Sequence, residues 1–372
     1  MSALAAGARG ITNVELPAES RHDRCLAGQL TDFREQAQRF IPAAQRRRMT
    51  RLSQMAAAAA GQALEAAGLL QGSSNGLGLV LGTAFGSSGR SEQFYQELLS
   101  KGARLVNPGL FPETVPNAAA GQLAILYGLQ GPNCTVCEQA VSSETALQLA
   151  GDMLQAGMAD RFLVVGVEEA SPALLKGLDS LELLRNTEAE PDGLTLSGRT
   201  IPGEAAVACV IESQAATARQ AFPLARLRDI RLGGQAVRRP KYFRVGSSLK
   251  KGLADLQADW GDLGRTAVMS GSFLEPVDRE HWSALADCLG PDAQICVPEY
   301  ATGHLMGAGL LRCLTGVMAL QGLPVPLRSL AKEPSSKAAD FSTDRAAGAS
   351  NRLTVSAVSP GGGAAVILLD KE

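Results

Sequence analysis

Hydrophobic and polar positions alternate along the whole chain with two distinct periods. Short apolar runs bounded by glycine or polar residues predict strands, whereas apolar residues spaced three and four apart predict helices. The predicted strands lie at 76–85, 134–136, 161–169, 203–213, 266–272 and 294–300, with two more within 352–370. The predicted helices lie at 46–70, 91–102, 118–129, 279–290 and 304–322, with a further amphipathic pattern between 140 and 157. Strands that alternate with helices in both halves of the chain predict an α/β fold of stacked layers, built from two related halves.

One stretch, "NCTVCEQAVSSETALQLAGDMLQAG" (133–157), has the layout of a catalytic turn. A short strand leads into a polar turn, and a buried helix follows at once. Many enzymes use this arrangement to hold a nucleophile at the positive end of a helix dipole. The residue at the apex is Ala140, which carries no reactive atom.

The composition suits closely packed helices and sheets, and it narrows the range of partners. The 372 residues are 45% hydrophobic, include 40 glycines and are only 4% aromatic, as in tightly packed α/β layers. A net charge of −2 argues against nucleic acid or an anionic membrane as the main partner. Apolar runs stay below the roughly 18–20 residues of a membrane span, and the first residues do not form a signal-peptide pattern. We therefore expect a cytoplasmic protein without a membrane span.

The cysteines are interpreted as structural. There are seven, an odd number, scattered through apolar runs, which is typical of small core residues in a reducing compartment. Cys134 and Cys137 form one CxxC pair, but no second pair follows at the spacing of a zinc site. We expect both thiols to be packed under the turn, with neither metal nor cofactor bound.

Several segments resemble β-ketoacyl synthases of the thiolase fold, in the order in which that family has them. "GPNCTVCEQAVSSETALQLAGDMLQAGMADRFLVVGVEEASP" is similar to the nucleophile segment, and "TGHLMGAGLLRCLTGVMALQGLPVPLRSL" to the second active-site histidine segment. "PNAAAGQLAILYGLQGPN", "IPGEAAVACVIES" and "SPGGGAAVILL" also match. The resemblance implies a thiolase-like α-β-α-β-α core, with an N-terminal half at 1–213 and a C-terminal half at 214–372.

The resemblance also locates the four parts of the family's chemistry, and three of them are replaced. The acyl-carrying cysteine falls on Ala140, the first histidine on Ser270 and the supporting lysine on Glu299. Only the second histidine remains, as His304. A methyl group cannot carry an acyl chain, a serine cannot act as an imidazole acid or base near pH 7, and Glu299 reverses a charge. The resemblance therefore implies a vestigial catalytic set.

The histidines and Cys137 also have structural interpretations. We expect His304 to be a satisfied structural histidine that caps the helix at 304–322, in preference to a functional group. His281, on a polar helix face, and His22, in the irregular start, are expected at the surface. Cys137 lies three residues before the apex, so we expect it to point into the strand layer and not to replace the nucleophile.

Three further features depart from the family's pattern. The family's opening βα unit is missing, so a sheet strand is encoded upstream, has been lost, or is supplied in another way. The Arg-Pro-Phe-Asp-like loop expected before "GEAA" is also missing. The C-terminal turn "SPGGGA" lacks the phenylalanine of the family's Gly-Phe-Gly-Gly gate.

A fold without its reactive atoms resembles the chain-length-factor subunits of this family, which pair with an active ketosynthase to elongate acyl chains on an acyl carrier protein. The resemblance implies that this chain also has an active ketosynthase and an acyl carrier protein as partners. It implies a role in type II fatty-acid or polyketide biosynthesis, and aryl polyene pathways are one possibility among these. The segments 108–117 and 133–139 are then expected at the subunit interface. The interface and tunnel candidates are Phe111, Pro112, Val115, Asn117, Asn133 and Gln139.

The stretch 226–251 is a candidate docking site for the carrier protein. It contains nine Lys or Arg residues against one acidic residue, Asp229, and such a patch could dock an acidic protein or be an ordinary solvated surface. The docking candidates are Arg238, Arg239, Lys241 and Arg244, and a second, weaker cluster consists of 46–48 with Arg51. Two other functions stay open: an enzyme with altered chemistry, such as decarboxylation or acyl transfer, and a scaffold that binds acyl groups or the carrier protein.

Overall fold

The computed structural model describes most of the chain. The described residues are 10–31, 33–70, 76–185, 199–217, 223–234, 246–330 and 351–372.

The described chain begins with a two-stranded antiparallel hairpin, β1 (Ile11–Glu15) and β2 (Arg24–Gly28). Gly28, the last residue of the hairpin, donates its N–H to the carbonyl oxygen of Pro202. The carbonyl oxygen of Gly28 accepts the N–H of Glu204. The sequence left this region as an irregular start, because neither strand has a run of consecutive buried residues.

The N-terminal sheet consists of β3 (Gly78–Gly82), β4 (Asn133–Val136), β5 (Arg161–Glu168) and β6 (Ala205–Glu212). The strand order is β4-β3-β5-β6. β3 is parallel to both β4 and β5, and β6 is antiparallel to β5. β4, which leads into the turn at Ala140, therefore lies at one edge of this sheet.

The C-terminal sheet has six strands in the order β10-β9-β8-β11-β12-β7. β8 is parallel to β9 and β11, whereas β12 is antiparallel to both β11 and β7. The strands are β7 (Arg226–Gly234), β8 (Thr266–Met269), β9 (Gln294–Cys296), β10 (Arg328–Ser329), β11 (Arg352–Val358) and β12 (Gly363–Asp370).

Helices connect most of the strands. Their first turns follow local capping chemistry: the Thr50 side chain accepts the N–H of Ser53, and Ser171 accepts that of Leu174 just before a proline-led helix. The helices are α1 (Phe33–Phe40), α2 (Ala43–Arg46), α3 (Arg51–Ala66), α4 (Ser88–Lys101), α5 (Ala118–Tyr127), α6 (Ser142–Gln155), α7 (Pro172–Ser180), α8 (Gln214–Thr217), α9 (Gly246–Trp260), α10 (Glu275–Leu289), α11 (Glu299–Thr302) and α12 (Leu310–Leu320). Two short 3-10 turns lie at Pro108–Glu113 and Gln139–Val141.

Three apolar clusters stack these elements into layers. On one face of the N-terminal sheet, Leu163 packs with residues of α3 and α5. On the other face, Phe162 packs with α6 and α12, and these two helices also contact the C-terminal sheet through residues such as Ile367. α9 and α10 cover the outer face of the C-terminal sheet, where Val366 lies. The predicted α/β layers are confirmed, and α6 and α12 form the central layer. The division of the chain at residue 213 stays a prediction.

Two predicted helices begin later than expected. The pattern at 46–70 contains the end of α2 and a break before α3 begins at Arg51. The helix predicted at 304–322 begins only at Leu310, because His304 lies in an extended bridge with Pro202 and two glycines, Gly307 and Gly309, interrupt the segment.

Candidate functional site

The turn at Ala140 is held in an unusual backbone conformation. Gln139 has φ of +51°, a left-handed value that costs energy for a residue other than glycine. The Ser142 hydroxyl donates to the carbonyl oxygen of Gln139 (2.7 Å) and accepts the N–H of Glu138 (2.8 Å). Ser359, in the C-terminal half, donates to Oε1 of Gln139 (2.9 Å). The turn before α6 is therefore clamped from both halves, and the Ala140 methyl group is buried.

A buried arginine occupies the space beneath this turn. Arg312, on α12, is fully buried, and its guanidinium donates to Glu144 Oε1 (2.6 Å) on α6 and to Glu299 on α11. It also donates to the carbonyl oxygen of Ala140 (3.2 Å). Gly309 makes room for this group, since a Cβ at that position would clash with both Arg312 and Glu144. The Glu144–Arg312–Glu299 triad thus ties the apex of the turn to the opposite wall.

Burial and charge pairing act in opposite directions on the pKa values of Arg312 and Glu299. Burial by itself would lower the pKa of Arg312, but the Glu144 and Glu299 carboxylates outweigh burial and raise that pKa above its usual value. Burial raises the pKa of Glu299, and Arg312 partly opposes this shift. The second carboxylate oxygens of Glu144 and Glu299 have no hydrogen-bond partner within the described part of the chain. The three side chains are therefore buried and tightly paired with one another.

Glu299 was located from the sequence, but Glu144 and Arg312 were not. The signal for Arg312 was available, since it is the only charged residue of the apolar run "LLRCLTGVMAL". Charged side chains are almost never fully buried unless they are paired. An arginine in such a run therefore indicates a buried carboxylate partner, although not which one.

Ser270 lies at the end of β8 and is part of a buried hydrogen-bond chain. The N–H of Val358 donates to Ser270 Oγ (3.1 Å), and His281 Nδ1 lies 3.4 Å from the same oxygen. His281 Nε2 lies 2.8 Å from Ser356 Oγ. The Ser270 hydroxyl is therefore engaged in holding β11 and α10 together.

The expectation that His281 lies at the surface was wrong. Its side chain is fully buried, because α10 begins at Glu275 and turns this residue toward the C-terminal sheet together with Val277 and Trp282. Burial, with a smaller effect of the Arg312 charge, lowers the pKa of His281 to about 3. His22 is partly exposed, as expected, and its Nδ1 lies 2.7 Å from Asp179 Oδ1.

His304 is buried and neutral. Its backbone N–H donates to the carbonyl oxygen of Ile201 (2.7 Å), and its side-chain Nδ1 lies 3.5 Å from Thr200 Oγ1. Its Nε2 has no partner among the described residues. Burial, followed by the Arg312 charge, lowers the pKa of His304 to about 3. The expected capping role was wrong, since α12 begins six residues later.

All four positions that the sequence resemblance singled out are buried, and Arg312 connects most of them. Arg312 contacts Ala140 and Glu299 directly, and its charge acts on His304 and on His281, the neighbour of Ser270. The structure therefore brings the four positions that the sequence identified into one region. Arg312, which the sequence did not identify, lies at the centre of their interactions.

The six interface candidates are all exposed in the single chain. The turn at Pro108–Glu113 lies against α4 and α5, and α5 in turn contacts β4. Phe111 is 59% exposed, and its ring lies 5.7 Å from that of Phe94. Other large apolar side chains of these elements, Tyr95, Leu99 and Ile125, are also exposed. The candidates thus lie on or next to neighbouring elements, several of which expose large apolar side chains; we call the surface formed by α4, the turn at Pro108–Glu113, α5 and β4 the α4–β4 face.

The carrier-docking candidates Arg238, Arg239, Lys241 and Arg244 lie outside the described residues. Most of their described neighbours are paired: Arg226 with Glu372, Arg228 with Asp370 and Arg231 with Asp229, and Lys250 with Asp287. In the weaker cluster, Arg51 pairs with the buried Glu204. Arg47 and Arg48 are exposed, Arg46 is partly exposed, and the described structure gives none of these three an ion-pair partner.

The cysteines are all unbonded. Cys134 is half-buried against the central layer, as expected, but Cys137 is exposed beside β4, which corrects the expectation that it packs under the turn. Across the described ranges, no cluster of His, Cys, Asp and Glu is arranged to hold a metal ion. Within the same ranges, no helix combines the length and apolarity needed to cross a bilayer.

Comparisons with known proteins agree on one family. The family model for the β-ketoacyl synthase N-terminal domain matches residues 2–216. The 3-oxoacyl-[acyl-carrier-protein] synthase 2 of Vibrio cholerae serotype O1 is 27% identical over 343 residues, covering 87% of this chain and 82% of that protein.

Two solved structures show the same fold. A β-ketoacyl synthase from Burkholderia phymatum STM815 superimposes with a TM-score of 0.79 at 20% identity, over 100% of this chain and 94% of its own. The ishigamide ketosynthase/chain length factor superimposes with a TM-score of 0.71 at 22% identity, over 100% and 93%.

Proposed function

Since the chain belongs to the β-ketoacyl synthase family, we propose that it is a non-catalytic, chain-length-factor-like subunit. It pairs with an active β-ketoacyl-ACP synthase and shapes the acyl tunnel of the pair, in type II fatty-acid or polyketide biosynthesis. Aryl polyene pathways are one setting of this kind.

The observation that carries the proposal is the content of the former catalytic centre. A thioester needs a nucleophilic atom at the apex, and Ala140 has none. Decarboxylation needs a protonated or hydrogen-bonding group that reaches the substrate, but Ser270 has no imidazole, and the side chains of Ser270 and His304 are both buried. A carboxylate at position 299 also disfavours the negative charge that develops when CO₂ leaves. The centre therefore supports the fold and not the reaction.

Pairing is supported by the α4–β4 face. Exposed apolar patches beside an unpaired strand edge are typical of interaction surfaces and are a liability in an isolated monomer. Within the described structure, β4 has β3 as its one strand neighbour, and both Asn133 at its start and Gln139, three residues after its end, are exposed. A partner seated here would lie directly over the turn that precedes α6, where the acyl chain of an active synthase would approach.

Carrier docking is supported in the described chain by Arg46, Arg47 and Arg48. Their charges are not neutralised locally, in contrast to those of β7, and an acidic carrier protein would gain from them. The acyl carrier protein named in the Vibrio cholerae relative is a partner of this kind.

The test is co-expression with an active ketosynthase of the same organism, followed by size-exclusion chromatography with light scattering. A stable heterodimer is expected. Incubation of each purified chain with acyl- and malonyl-carrier protein should load the synthase and leave this chain unmodified by mass spectrometry.

The other outcomes separate the alternatives. Covalent loading of this chain, or CO₂ release by it alone, would establish an enzyme with altered chemistry. Binding of the carrier protein without any ketosynthase would establish a scaffold. A chain that stays monomeric beside the synthase would overturn the proposal.

A further inference from the structure

Glu113 is a buried acid within a surface turn. The turn at Pro108–Glu113 exposes Phe111, whereas only 8% of Glu113 is exposed. Its Oε1 accepts a hydrogen bond from Gln122 Nε2 on α5 (2.9 Å). Its Oε2 is shielded from solvent and has no hydrogen-bond partner among the described residues. One oxygen of this carboxyl group is therefore left unsatisfied in the single chain.

The ranges that the structure describes provide no ion-pair partner for this carboxyl group. The basic residues of the neighbouring helix α4 are engaged elsewhere: Lys101 pairs with Glu97 (3.1 Å), and Arg90 donates to Gln93 Oε1 (2.7 Å). A buried polar oxygen without a partner is unfavourable, and more so when its group carries a charge. Glu113 therefore lacks a donor that a second molecule can supply.

The backbone around Glu113 is rigid. Pro112 and Pro116 restrict the chain on either side of it. The N–H and the hydroxyl group of Thr114 both donate to the carbonyl oxygen of Phe111, at 3.0 and 2.8 Å. A rotation of the Glu113 side chain is then the small change that would present Oε2 to a neighbouring molecule, and such rotations are common when interfaces form.

Large apolar side chains accompany Glu113 on the α4–β4 face. Phe111, two residues before it, and Val115, two residues after it, are both exposed. On α5, which carries Gln122, Ile125 is exposed as well. A charged contact inside an apolar rim is characteristic of binding hot spots, because the rim excludes water from the contact.

We propose that a cationic side chain of the partner ketosynthase, an arginine or a lysine, binds the Glu113 carboxylate when the two chains associate. This inference rests on the proposed function, since it assigns the cation to the synthase. Charge complementarity favours that occupant, because an acidic carrier protein would be repelled by Glu113. A synthase without the cation would leave Glu113 buried and unpaired, so this contact selects which synthase the chain accepts.

The first test is Glu113→Gln, which removes the charge while its amide oxygen can still accept the hydrogen bond of Gln122. Affinity for the purified synthase, measured by biolayer interferometry, should fall at least about tenfold, because a charge-assisted contact is lost. The urea midpoint of the single chain should be unchanged or higher, because Glu113 loses no cation there. Glu275→Gln is the matched control: Glu275 also accepts a side-chain hydrogen bond, from Arg279 (2.7 Å), but lies on α10, so pairing should be unchanged.

Glu113→Lys tests the sign of the partner's charge. It brings two cations together, so pairing should weaken at least about hundredfold, beyond the effect of Glu113→Gln. A loss no larger than that of Glu113→Gln would overturn the proposal, since the partner group would then be a neutral donor.

The remaining outcomes separate this inference from the proposed function. A wild-type heterodimer whose affinity is unchanged by Glu113→Gln would overturn the inference and leave the proposed function intact, whereas the absence of a wild-type heterodimer would overturn both. A less stable single chain of Glu113→Gln would overturn the inference, because Glu113 would then be satisfied within the fold. So would a Glu113-dependent dimer of this chain alone, or Glu113-dependent binding of the carrier protein, because the cation would then belong to a different partner.

Discussion

A guanidinium that is cut off from water needs carboxylates around it, and Arg312 has Glu144 and Glu299. The mutual attraction of the three charged groups offsets their desolvation cost only while all three are present. Removal of one member therefore costs more than the net stabilisation that the triad provides. This explains how charged side chains can be retained in the buried interior around Ala140.

Arg312→Met should destabilise the protein by about 3–5 kcal/mol, because it leaves two buried carboxylates uncompensated. The measurement is the urea midpoint and slope of unfolding. Arg39→Met is the matched control: Arg39 also pairs with a glutamate, Glu65, but both side chains are about half exposed, so less than about 1 kcal/mol should be lost. Equal losses in the two variants would contradict a structural role of the triad.

Ala140→Cys alone should not restore condensation. The new thiol would lack the imidazole that Ser270 replaces, and Glu299 would oppose decarboxylation. The assay is product formation from acyl- and malonyl-carrier protein, with Ala146→Cys, buried on the same helix α6, as the control for a new buried thiol. Measurable condensation by Ala140→Cys would show that the remaining centre is more competent than its geometry indicates.

Among the helices and strands, those marked by a local apolar pattern were predicted from the sequence. Strand β7, whose charged side chains are paired mostly through tertiary contacts, was missed. The apolar runs that became β3, β5 and β6 were correctly predicted as strands, because strands covered on both faces have continuous apolar runs. β7 was read as part of a basic patch because, apart from Asp229 within β7 itself, the acidic partners of its arginines lie in β12, in α9 or at the C-terminus.

The candidate site shows the same limit. Ala140, Ser270, Glu299 and His304 could be located because ordered motifs flank each of them. His281 and Arg312 could not be assigned to the centre, because their partners are 75 and 168 residues away in sequence. Side-chain burial at a helix position also depends on where the helix starts, and this is why His281 was placed on the wrong face.

Phe111→Asp should weaken pairing with the ketosynthase by more than about tenfold, because it puts a charge in the centre of the α4–β4 face. Binding can be measured by biolayer interferometry with the purified synthase. Leu323→Asp is the control: Leu323 is also half-exposed but follows α12 in the C-terminal half, so pairing should be unchanged. Equal effects of the two substitutions would place the interface elsewhere.

Arg47→Glu should weaken carrier-protein binding about three- to fivefold, with a loss that shrinks at high salt. The measurement is a titration of the heterodimer with carrier protein at two ionic strengths. Arg265→Glu, another exposed arginine of the described chain that precedes β8, should leave the affinity unchanged. A salt-independent effect, or the same effect at Arg265, would exclude docking at 46–48.

For the whole molecule, buried ionisable groups produce two opposite pH dependences. Burial lowers the pKa of His281 and His304 to about 3, so the unfolded chain binds more protons between about pH 3 and 6.5 and stability rises with pH there. Burial raises the pKa of Glu168 to about 8 and that of Asp278 to about 7. For these carboxyl groups the folded state holds the extra proton, so stability falls as pH rises from the ordinary carboxyl range to their folded pKa. The two trends oppose each other below pH 6.5, and only the carboxyl groups act above it.

Between pH 7 and 8, Glu168 should therefore lower the free energy of unfolding by about 1 kcal/mol, because over this interval the folded state binds roughly half to one proton more than the unfolded state. Its Oε2 accepts the N–H of Ala84 (2.7 Å), a contact that the amide oxygen in Glu168→Gln can retain. That variant should flatten the stability profile over this interval in urea unfolding series. Glu35→Gln, on the exposed face of α1, should keep the wild-type slope. A profile that falls equally in wild type and Glu168→Gln would show that Glu168 is already ionised in the folded protein, and that the unpartnered Oε1 beside the turn is solvated.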